Sequence, residues 1–188
     1  MRDLSSLDIH RNRAVKKYGV HEIFLRVAWM IAHPLFRFSP RTFFWWRRAL
    51  LRLFGAKIGS EVHVYNTATI YMPWNLEIHE WSSVGEHVYI YNLGKITIGQ
   101  KVTISHRAHL CAGTHDYTKS DMPLQKLPIT ILDQAWVCSD AFIGPGVTIG
   151  EGAVLGARAV IVKDVPAWQV MAGNPARPIK TRVISGYE

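Results

Sequence analysis

Aliphatic residues recur through most of this chain at a six-residue interval. Fifteen positions follow the interval and all are Ile, Val or Leu; two extra residues precede Ile78 and Ile98, so the positions group in threes. The set is Ile58, Val64, Ile70, Ile78, Val84, Ile90, Ile98, Ile104, Leu110, Ile131, Val137, Ile143, Ile149, Leu155 and Ile161. Hexapeptide repeats of this kind are typical of a parallel β-helix, in which short strands stack coil on coil. Short strands of a β-sandwich, the competing interpretation, do not explain so regular an interval.

The other positions of the hexapeptide agree with a three-sided coil. The residue four places after each aliphatic is small or Val at nearly every repeat, with Trp74 as the exception. Gly often follows the aliphatic directly, and we expect these glycines to supply the backbone angles of a sharp corner. The repeat therefore predicts an all-β fold, a parallel β-helix of about five coils over residues 58–166.

Length and charge divide the chain into this repeat and two flanking segments. At 188 residues it forms one domain with an appendage, residues 1–57, and a C-terminal exit segment, residues 167–188. The appendage holds 12 Lys and Arg against 3 Asp and Glu, whereas the remainder holds 10 against 11. Cys111 and Cys138 lie on the repeat and are predicted to be packed thiols of a cytoplasmic protein, since no secretory signal precedes them.

The appendage is predicted to contain two helices. One covers Val20–Ala32 and ends before Pro34; the other starts at Ser39-Pro40, read as an N-cap and first helical position, and ends at Gly55. Neither apolar run is long enough to span a bilayer.

Two roles stay open for these basic, aromatic helices. They could cap the open end of the β-helix or pack on a neighbouring subunit, as a solenoid end requires. They could also make peripheral membrane contact through residues 20–54, with Arg against anionic head groups. Nucleic-acid binding would use the same charge, but no recognition motif supports it, so no nucleic acid is expected.

The interval is interrupted at length only once, by residues 116–130. Such an excursion from a solenoid adds little core and is a candidate for function. His115 stands at the start of this loop, on rigid structure yet accessible, which suits a general base whose ordinary pKa is near neutrality.

A second candidate region lies where the repeat ends. Turn-forming residues carry the chain out of the β-helix there, and Lys163, Arg177 and Lys180 supply cations that a polyphosphate ligand would need.

Several stretches together resemble the hexapeptide-repeat acyltransferases, whose β-helix is left-handed. They are Ile96–Gly99, Gly113–Tyr117, Pro128–Ile131, Ala135-Trp136, Gly144–Gly150, Gly156–Val160, Val162–Pro166 and Ala172–Arg177. The resemblance covers residues 58–182 and is strongest to the colanic-acid-type exopolysaccharide O-acetyltransferases. The hexapeptides specify the fold, while the His loop and the Gly-Asn-Pro-Ala-Arg ending are more specific to the family.

The resemblance implies an acetyl-CoA-dependent sugar O-acetyltransferase of surface-glycan biosynthesis, a cytoplasmic homotrimer with sites between subunits. His115 would be the general base of direct transfer and Asp116 would orient it or begin the turn; Asn92 and Tyr117 would contact the acceptor, a saccharide that could be lipid-linked. The family's coenzyme A groove matches Trp136, Ser139, Ala157, Val162, Lys163, Arg177 and Lys180. For Trp136, an inward side chain with a structural role is as well supported as a place beside the coenzyme A groove. No metal is implied.

Two other functions remain as alternatives. A zinc hydratase of the γ-carbonic-anhydrase type shares the fold and needs three converging histidines, for which the chain offers His79, His87, His106, His109 and His115. The third possibility is a β-helix scaffold without catalysis.

Overall fold

The structure, a computed structural model, describes residues 6–186. Residues 1–5 and 187–188, the outer ends of the predicted appendage and exit segment, lie outside the described residues. The repeat forms a left-handed parallel β-helix with three flat faces, which we call sheets A, B and C in the order the chain visits them. Five coils are complete, and a sixth begins with Val165 beside Ile149 and continues along sheet B.

The strands of each coil are two to five residues long. Sheet A contains β1 (Lys57–Ile58), β4 (Leu76–Ile78), β7 (Ile96–Ile98), β12 (Ile129–Ile131) and β15 (Thr148–Ile149). Sheet B contains β2 (His63–Val64), β5 (Ser83–Val84), β8 (Thr103–Ile104), β13 (Trp136–Val137), β16 (Val154–Leu155) and β18 (Gln169–Gly173), with β19 (Ala176–Thr181) added antiparallel to β18. Sheet C contains β3 (Thr69–Ile70), β6 (Tyr89–Tyr91), β9 (His109–Cys111), β14 (Phe142–Ile143) and β17 (Val160–Ile161). A two-stranded hairpin, β10 (Gly113–His115) with β11 (Leu124–Lys126), stands outside the three sheets.

The fifteen aliphatic positions stack in three columns, which confirms the interval as the basis of the fold. In sheet A, for example, Ile58 pairs with Ile78, Ile78 with Ile98, and Ile98 with Ile131. All fifteen side chains are at most 7% exposed. Each buried aliphatic contributes about 1.5–3 kcal/mol, so the columns form the core of the molecule.

The corners between sheets use left-handed backbone. The left-handed residues are not the glycines that directly follow the column residues, where the sequence predicted them. Nine non-glycine residues have φ between 53° and 62°: Glu61, Trp81, His87, Lys101, Arg107, Gln134, Asp140, Arg158 and Trp168. Eight stand three places after a column residue, and the ninth, Trp168, stands three places after Val165, which begins the sixth coil. The glycines that directly follow the columns serve close approach instead. A Cβ on Gly150 would lie 2.3 Å from the Ala167 nitrogen, and one on Gly59 would lie 2.7 Å from the Glu80 nitrogen. The expectation that these glycines supply corner angles is therefore wrong; they make room for the backbone of the next coil.

The three corners of the coil differ in the length of chain that they accept. The corner from sheet C to sheet A, which we call the third corner, holds both two-residue insertions and the long excursion between Leu110 and Ile129. The other two corners keep the six-residue spacing in every complete coil. Sheet A resumes in register after each excursion, because β12 pairs with β7 as directly as β7 pairs with β4.

Three helices precede the β-helix: α1 (Ile9–Ala14), α2 (Val20–Arg37) and α3 (Phe44–Leu53). The predicted end of α2 before Pro34 is wrong, since the helix continues through it and buries Phe36 completely. The predicted start of α3 at Ser39-Pro40 is also wrong, because the Ser39 hydroxyl donates to the Phe36 carbonyl instead of capping α3. Gly55 follows the C-terminus of α3 with φ of 85°, as predicted. None of the helices in the described part of the chain has the length and hydropathy needed to cross a bilayer.

Helices α2 and α3 cover the first coil and bond to its free carbonyls. In this β-helix the N–H groups of one coil donate to the carbonyls of the next, as Gly59 does to Ile78 at 2.7 Å. The carbonyls of the first coil therefore have no preceding coil to donate to them. Side chains of the helices supply these donors: Arg52 to Ile58, Arg48 to Val62, Arg47 to Val64 and Trp29 to Ile70, at 2.6–3.1 Å. The helices thus cap the solenoid, one of the two roles the sequence left open.

Candidate active site

His115 lies on the hairpin that leaves the third corner. It is the last residue of β10 and pairs with Leu124 of β11, while Gly113 at the base of the hairpin pairs with Lys126. Gly113 packs so closely on Leu93 of the previous coil that a Cβ would come within 2.7 Å of a Leu93 methyl group. The hairpin is thereby fixed to the solenoid at its base, and the His115 side chain at its far end is exposed.

A backbone carbonyl holds the His115 ring. Nδ1 lies 2.6 Å from the Met122 carbonyl oxygen. Because a carbonyl can only accept, Nδ1 carries the hydrogen in this arrangement, and the neutral ring then has its free lone pair on Nε2. A histidine with a lone pair on Nε2 is the form that can take a proton from a hydroxyl group.

Asp116 bonds within its own turn. Its Oδ1 accepts from the Thr118 amide at 3.1 Å and from the Thr118 hydroxyl at 2.5 Å, and Lys119 Nζ lies 3.6 Å from Oδ2. These hydrogen bonds from Thr118, with a smaller effect of the Lys119 charge, hold the pKa of Asp116 below its usual value. Asp116 was expected either to orient His115 or to begin the turn. Its contacts match the second role, because the ring of His115 is held by the Met122 carbonyl instead.

Tyr117 and Asn92 occupy opposite environments. Tyr117 follows the hairpin strand and is 85% exposed. Asn92 is completely buried at the third corner, where its Oδ1 accepts from the Met72 amide at 2.9 Å and its Nδ2 donates to the Met72 carbonyl. Asn92 therefore joins two successive third corners, and contact with an acceptor would require these two bonds to open.

A cleft near the C-terminal end collects part of the predicted coenzyme groove. Its volume is about 320 Å³, and its lining includes Val162, Lys163 and Arg177 together with Pro175 and Pro178. The β18–β19 hairpin forms one wall, because Arg177 pairs with Ala172 at the start of β19. Within residues 6–186 the side chains of Lys163 and Arg177 make no hydrogen bond or ion pair, so both cations are available to an anionic ligand.

The remaining four predicted groove residues lie outside this cleft. Trp136 and Ser139 are on coil four, Ala157 is on coil five, and Lys180 is on β19 opposite Val170. Trp136 is 45% exposed and its indole N–H donates to the Ser105 hydroxyl at 3.0 Å, so the inward alternative for this residue is wrong. The inward residue of β13 is Val137, which is completely buried.

The structure adds Ser105 to the predicted groove, together with His106, which the sequence offered only as a candidate zinc ligand. His106 Nδ1 lies 3.2 Å from the Ser139 hydroxyl, and Ser105 bonds to Trp136, so both belong to the surface around the predicted groove. Spacing could have identified them, since they stand one and two places after the column residue Ile104. Residues 6–186 contain no group of three or more His, Cys, Asp or Glu side chains arranged to hold a metal ion.

The left-handed β-helix of hexapeptide coils places the chain in the hexapeptide-repeat acyltransferase class. The chain is 39% identical over 183 residues to an Escherichia coli K12 acetyltransferase whose name assigns it to colanic acid biosynthesis, covering 97% of this chain and 98% of that protein. The chain belongs to the acetyltransferase family that includes this protein. It is an acetyltransferase.

Further similarities agree with this family. The Escherichia coli galactoside O-acetyltransferase is 31% identical over 143 residues, covering 71% of this chain and 68% of that protein. A crystal structure of a hexapeptide-repeat acetyltransferase from Vibrio cholerae has a TM-score of 0.78 and 26% identity, covering 87% of this chain and 93% of that chain. No family model matches the chain.

Proposed function

We propose that the protein transfers the acetyl group of acetyl-CoA to a hydroxyl of a sugar, with His115 as the general base. The observation that carries this proposal is the contact of Nδ1 with the Met122 carbonyl, which leaves a lone pair on Nε2 of this exposed histidine. A hydroxyl is a weak nucleophile until a base removes its proton, so this nitrogen supplies what acetyl transfer to oxygen needs.

The reaction proceeds by direct transfer. Nε2 of His115 takes the proton of the acceptor hydroxyl as its oxygen bonds to the thioester carbonyl carbon. The carbon–sulfur bond then breaks, and the thiolate of coenzyme A leaves and receives the proton from the imidazolium. The products are the acetyl ester and coenzyme A, and no acyl-enzyme forms.

The names of the relatives support a saccharide acceptor. One relative is named for colanic acid biosynthesis, and another is a galactoside O-acetyltransferase. We infer that the acceptor is a sugar of a surface glycan. Asn92 and Tyr117 stay predicted acceptor contacts, with Tyr117 at the exposed turn of the hairpin.

The coenzyme is assigned to the C-terminal half of the β-helix. Lys163 and Arg177, which line one cleft, would bind its phosphates, because charge-assisted hydrogen bonds to phosphate are the stronger kind. Lys180, Trp136, Ser139 and Ala157 would extend this surface along sheet B and its corner.

The test is His115→Ala, measured by release of free thiol from acetyl-CoA with a panel of sugars, nucleotide sugars and lipid-linked oligosaccharides. Loss of a general base lowers kcat by about 10²- to 10⁴-fold. His87→Asn is the matched control, because His87 is an exposed corner histidine with left-handed backbone that Asn tolerates. Unchanged turnover in His115→Ala would remove His115 from the base role.

We also propose a homotrimer in which the hairpin of one subunit reaches the acceptor site of the next. The exposed far end of the hairpin, with Tyr117, is the part of the chain available for this contact. Light scattering coupled to size exclusion should give three times the mass of 21.4 kDa. A monomer with full activity would contradict the arrangement.

Finally, we propose that α2 binds a membrane surface peripherally, at the cytoplasmic side where acetyl-CoA is made. The face of α2 that points away from the β-helix is apolar along its length and includes Phe24 at 67%, Met30 at 66% and Ile31 at 71% exposure. The excess of positive charge in residues 1–57 favours anionic over neutral lipid.

Co-sedimentation with anionic phosphatidylglycerol vesicles tests this contact. The double variant Phe24→Ser with Ile31→Ser should lose binding, whereas Trp81→Ser, which removes an aromatic equally exposed on the β-helix, should keep it. If the double variant instead changes the oligomer mass and vesicle binding stays the same, α2 packs on another subunit and the membrane proposal fails.

A further inference from the structure

The Met122 carbonyl that holds His115 has a second donor from the N-terminal end of the chain. Asn12, on helix α1, donates through Nδ2 to this oxygen at 2.7 Å and to the Asp121 carbonyl at 2.6 Å. His115 Nδ1 lies 2.6 Å from the same Met122 oxygen. Asn12 and Met122 are 110 residues apart in sequence, so the contact joins the appendage directly to the active-site hairpin.

The orientation of the Asn12 amide is determined by its other partner. Lys17 Nζ donates to Asn12 Oδ1 at 2.8 Å. Because an ammonium group can only donate, Oδ1 must face Lys17 and the NH₂ group must face the loop. Both loop carbonyls therefore receive a donor from Asn12.

Other contacts attach α1 to the same loop without touching Met122. The Asp8 amide donates to the Ser120 carbonyl at 2.9 Å, and Arg11 Nε lies 3.5 Å from Asp121 Oδ2. Asp8 also caps α1 by accepting from the Arg11 amide. These contacts bring Asn12 to the loop, and among the described residues of the appendage Asn12 alone reaches the carbonyl beside His115.

The backbone of Met122 is strained and needs such support. Its φ is 39°, in the left-handed region that non-glycine residues rarely adopt. A non-glycine residue in this region is less stable than in ordinary backbone, and it persists where surrounding bonds hold it. The Met122 amide bonds to the Lys119 carbonyl at 3.1 Å, and its own carbonyl is held by Asn12.

We propose that Asn12 is a positioning residue for His115. By fixing the Met122 carbonyl, it keeps the hydrogen of the imidazole on Nδ1 and the lone pair on Nε2. The proposal rests on the proposed function of His115 as the base. Asn12 itself contacts neither the base nor the reacting groups.

The test compares Asn12→Leu, which keeps the size of the side chain and removes its donors, with Arg11→Gln. The control variant loses a contact between α1 and the loop that does not involve Met122. Loss of one hydrogen bond of about 0.5–1.5 kcal/mol should lower kcat of Asn12→Leu about three- to tenfold, with KM for acetyl-CoA within about twofold. Arg11→Gln should keep the kcat of the wild type.

The ring tautomer of His115 gives a second readout that does not depend on turnover. Nitrogen NMR of the histidine-labelled protein at pH 8 should show His115 with its hydrogen on Nδ1, and a mixture of both tautomers in Asn12→Leu. An unchanged tautomer and kcat would overturn the proposal, as would an equal fall of kcat in both variants, since α1 would then act only as a tether. Full activity of His115→Ala would end the proposed base role, while the tautomer measurement would still decide whether Asn12 positions the ring.

Discussion

The two ends of the β-helix are closed by different chemistry. At the N-terminal end the first coil presents carbonyls, and arginine and tryptophan side chains of α2 and α3 donate to them. At the C-terminal end the ladder presents N–H groups, and on sheet B an added strand, β19, pairs with β18. The direction of the parallel ladder decides which kind of group each end must supply, because every unpaired backbone group buried there is costly.

The comparison separates two uses of positive charge. Arg47, Arg48 and Arg52 are engaged by backbone carbonyls, so part of the charge of the appendage serves as hydrogen-bond donors. Lys163 and Arg177 at the other end have no such partners among the described residues and face a cleft. We therefore expect substitutions at the first end to change stability and at the second to change ligand binding.

Arg47→Met should have the largest effect on stability. Arg47 is completely buried and donates to Val64, to Pro40 and Arg41 carbonyls, and to the Ser39 hydroxyl. Removing it leaves several buried acceptors without a donor, which should lower the free energy of unfolding by about 3 kcal/mol. Urea denaturation measures this.

The control for Arg47 is Arg41→Met. Arg41 is largely exposed and pairs with Glu86 at 2.8 Å, so its loss should lower the unfolding free energy by less than about 1 kcal/mol. Equal losses in the two variants would mean that the carbonyl cap does not stabilise the first coil.

A reciprocal pair of variants sharpens the difference between the ends. Arg52→Gln removes donors to Ile58 and Gly59 and should lower the unfolding free energy by about 1 kcal/mol, with KM for acetyl-CoA unchanged. Arg177→Gln should raise that KM about three- to tenfold with stability unchanged, because it loses a charge-assisted bond to phosphate. A change of KM in Arg52→Gln, or a change of stability in Arg177→Gln, would contradict the division of positive charge between stability at the first end and ligand binding at the second.

Trp29→Phe tests the cap where no charge is involved. The indole N–H donates to the Ile70 carbonyl at 2.8 Å in a buried site, and Phe keeps most of the ring contacts. Loss of this bond should lower the unfolding free energy by about 1 kcal/mol. Trp46→Phe, whose indole bonds to the Leu35 carbonyl in an exposed position, should change it less.

The smallest expected effect is a pH dependence of the N-terminal cap. Burial, and then the charge of Arg37, lower the pKa of His33 from its ordinary value of 6.5. The unfolded chain then binds a proton in a window below pH 6.5 where the folded chain does not, so stability falls as the pH decreases through that window. His109, whose pKa burial also lowers, acts in the same direction.

Thermal melts of the wild type and of His33→Leu between about pH 7.5 and about pH 5, where histidine titrates, measure the contribution of His33 as the difference between the two proteins. His33→Leu should lose less stability than the wild type on acidification. An identical acid sensitivity in both proteins would exclude His33 from the effect.

The sequence predicted the regular parts of the molecule well, for a physical reason. Every coil needs an inward aliphatic residue at the same three places. The columns therefore appear in the sequence as a regular spacing of aliphatic residues, which ends at Ile161. The predicted helix end before Pro34 was wrong because a helix can continue through a proline when a residue beyond it is completely buried, as Phe36 is here. The sequence indicated that glycine matters after the column residues, but it did not give the reason. At Gly150 the reason is the close backbone of the next coil, which becomes apparent only when the coils are stacked.

The candidate site was predicted in part. His115 was located by the interruption of the interval, and Lys163 with Arg177 by their cations. The partner of the His115 ring is a main-chain carbonyl, which every residue possesses and no sequence pattern marks. Asn12 lies 110 residues from that carbonyl, in a segment that the sequence distinguishes by its charge and aromatic residues and not by an amide.

The third corner has one further consequence, for how such a protein can change. Since sheet A resumes in register whether the excursion is two residues or a whole hairpin, the length of chain inserted there is independent of the stacking of the coils. Loops at this corner can be exchanged between relatives as modules, and a graft that keeps Gly113 and Ile129 leaves both ends of the insertion anchored. Under the proposed role of the hairpin at the acceptor site, acceptor selectivity can then diverge, or be redesigned, without renewed selection on the core.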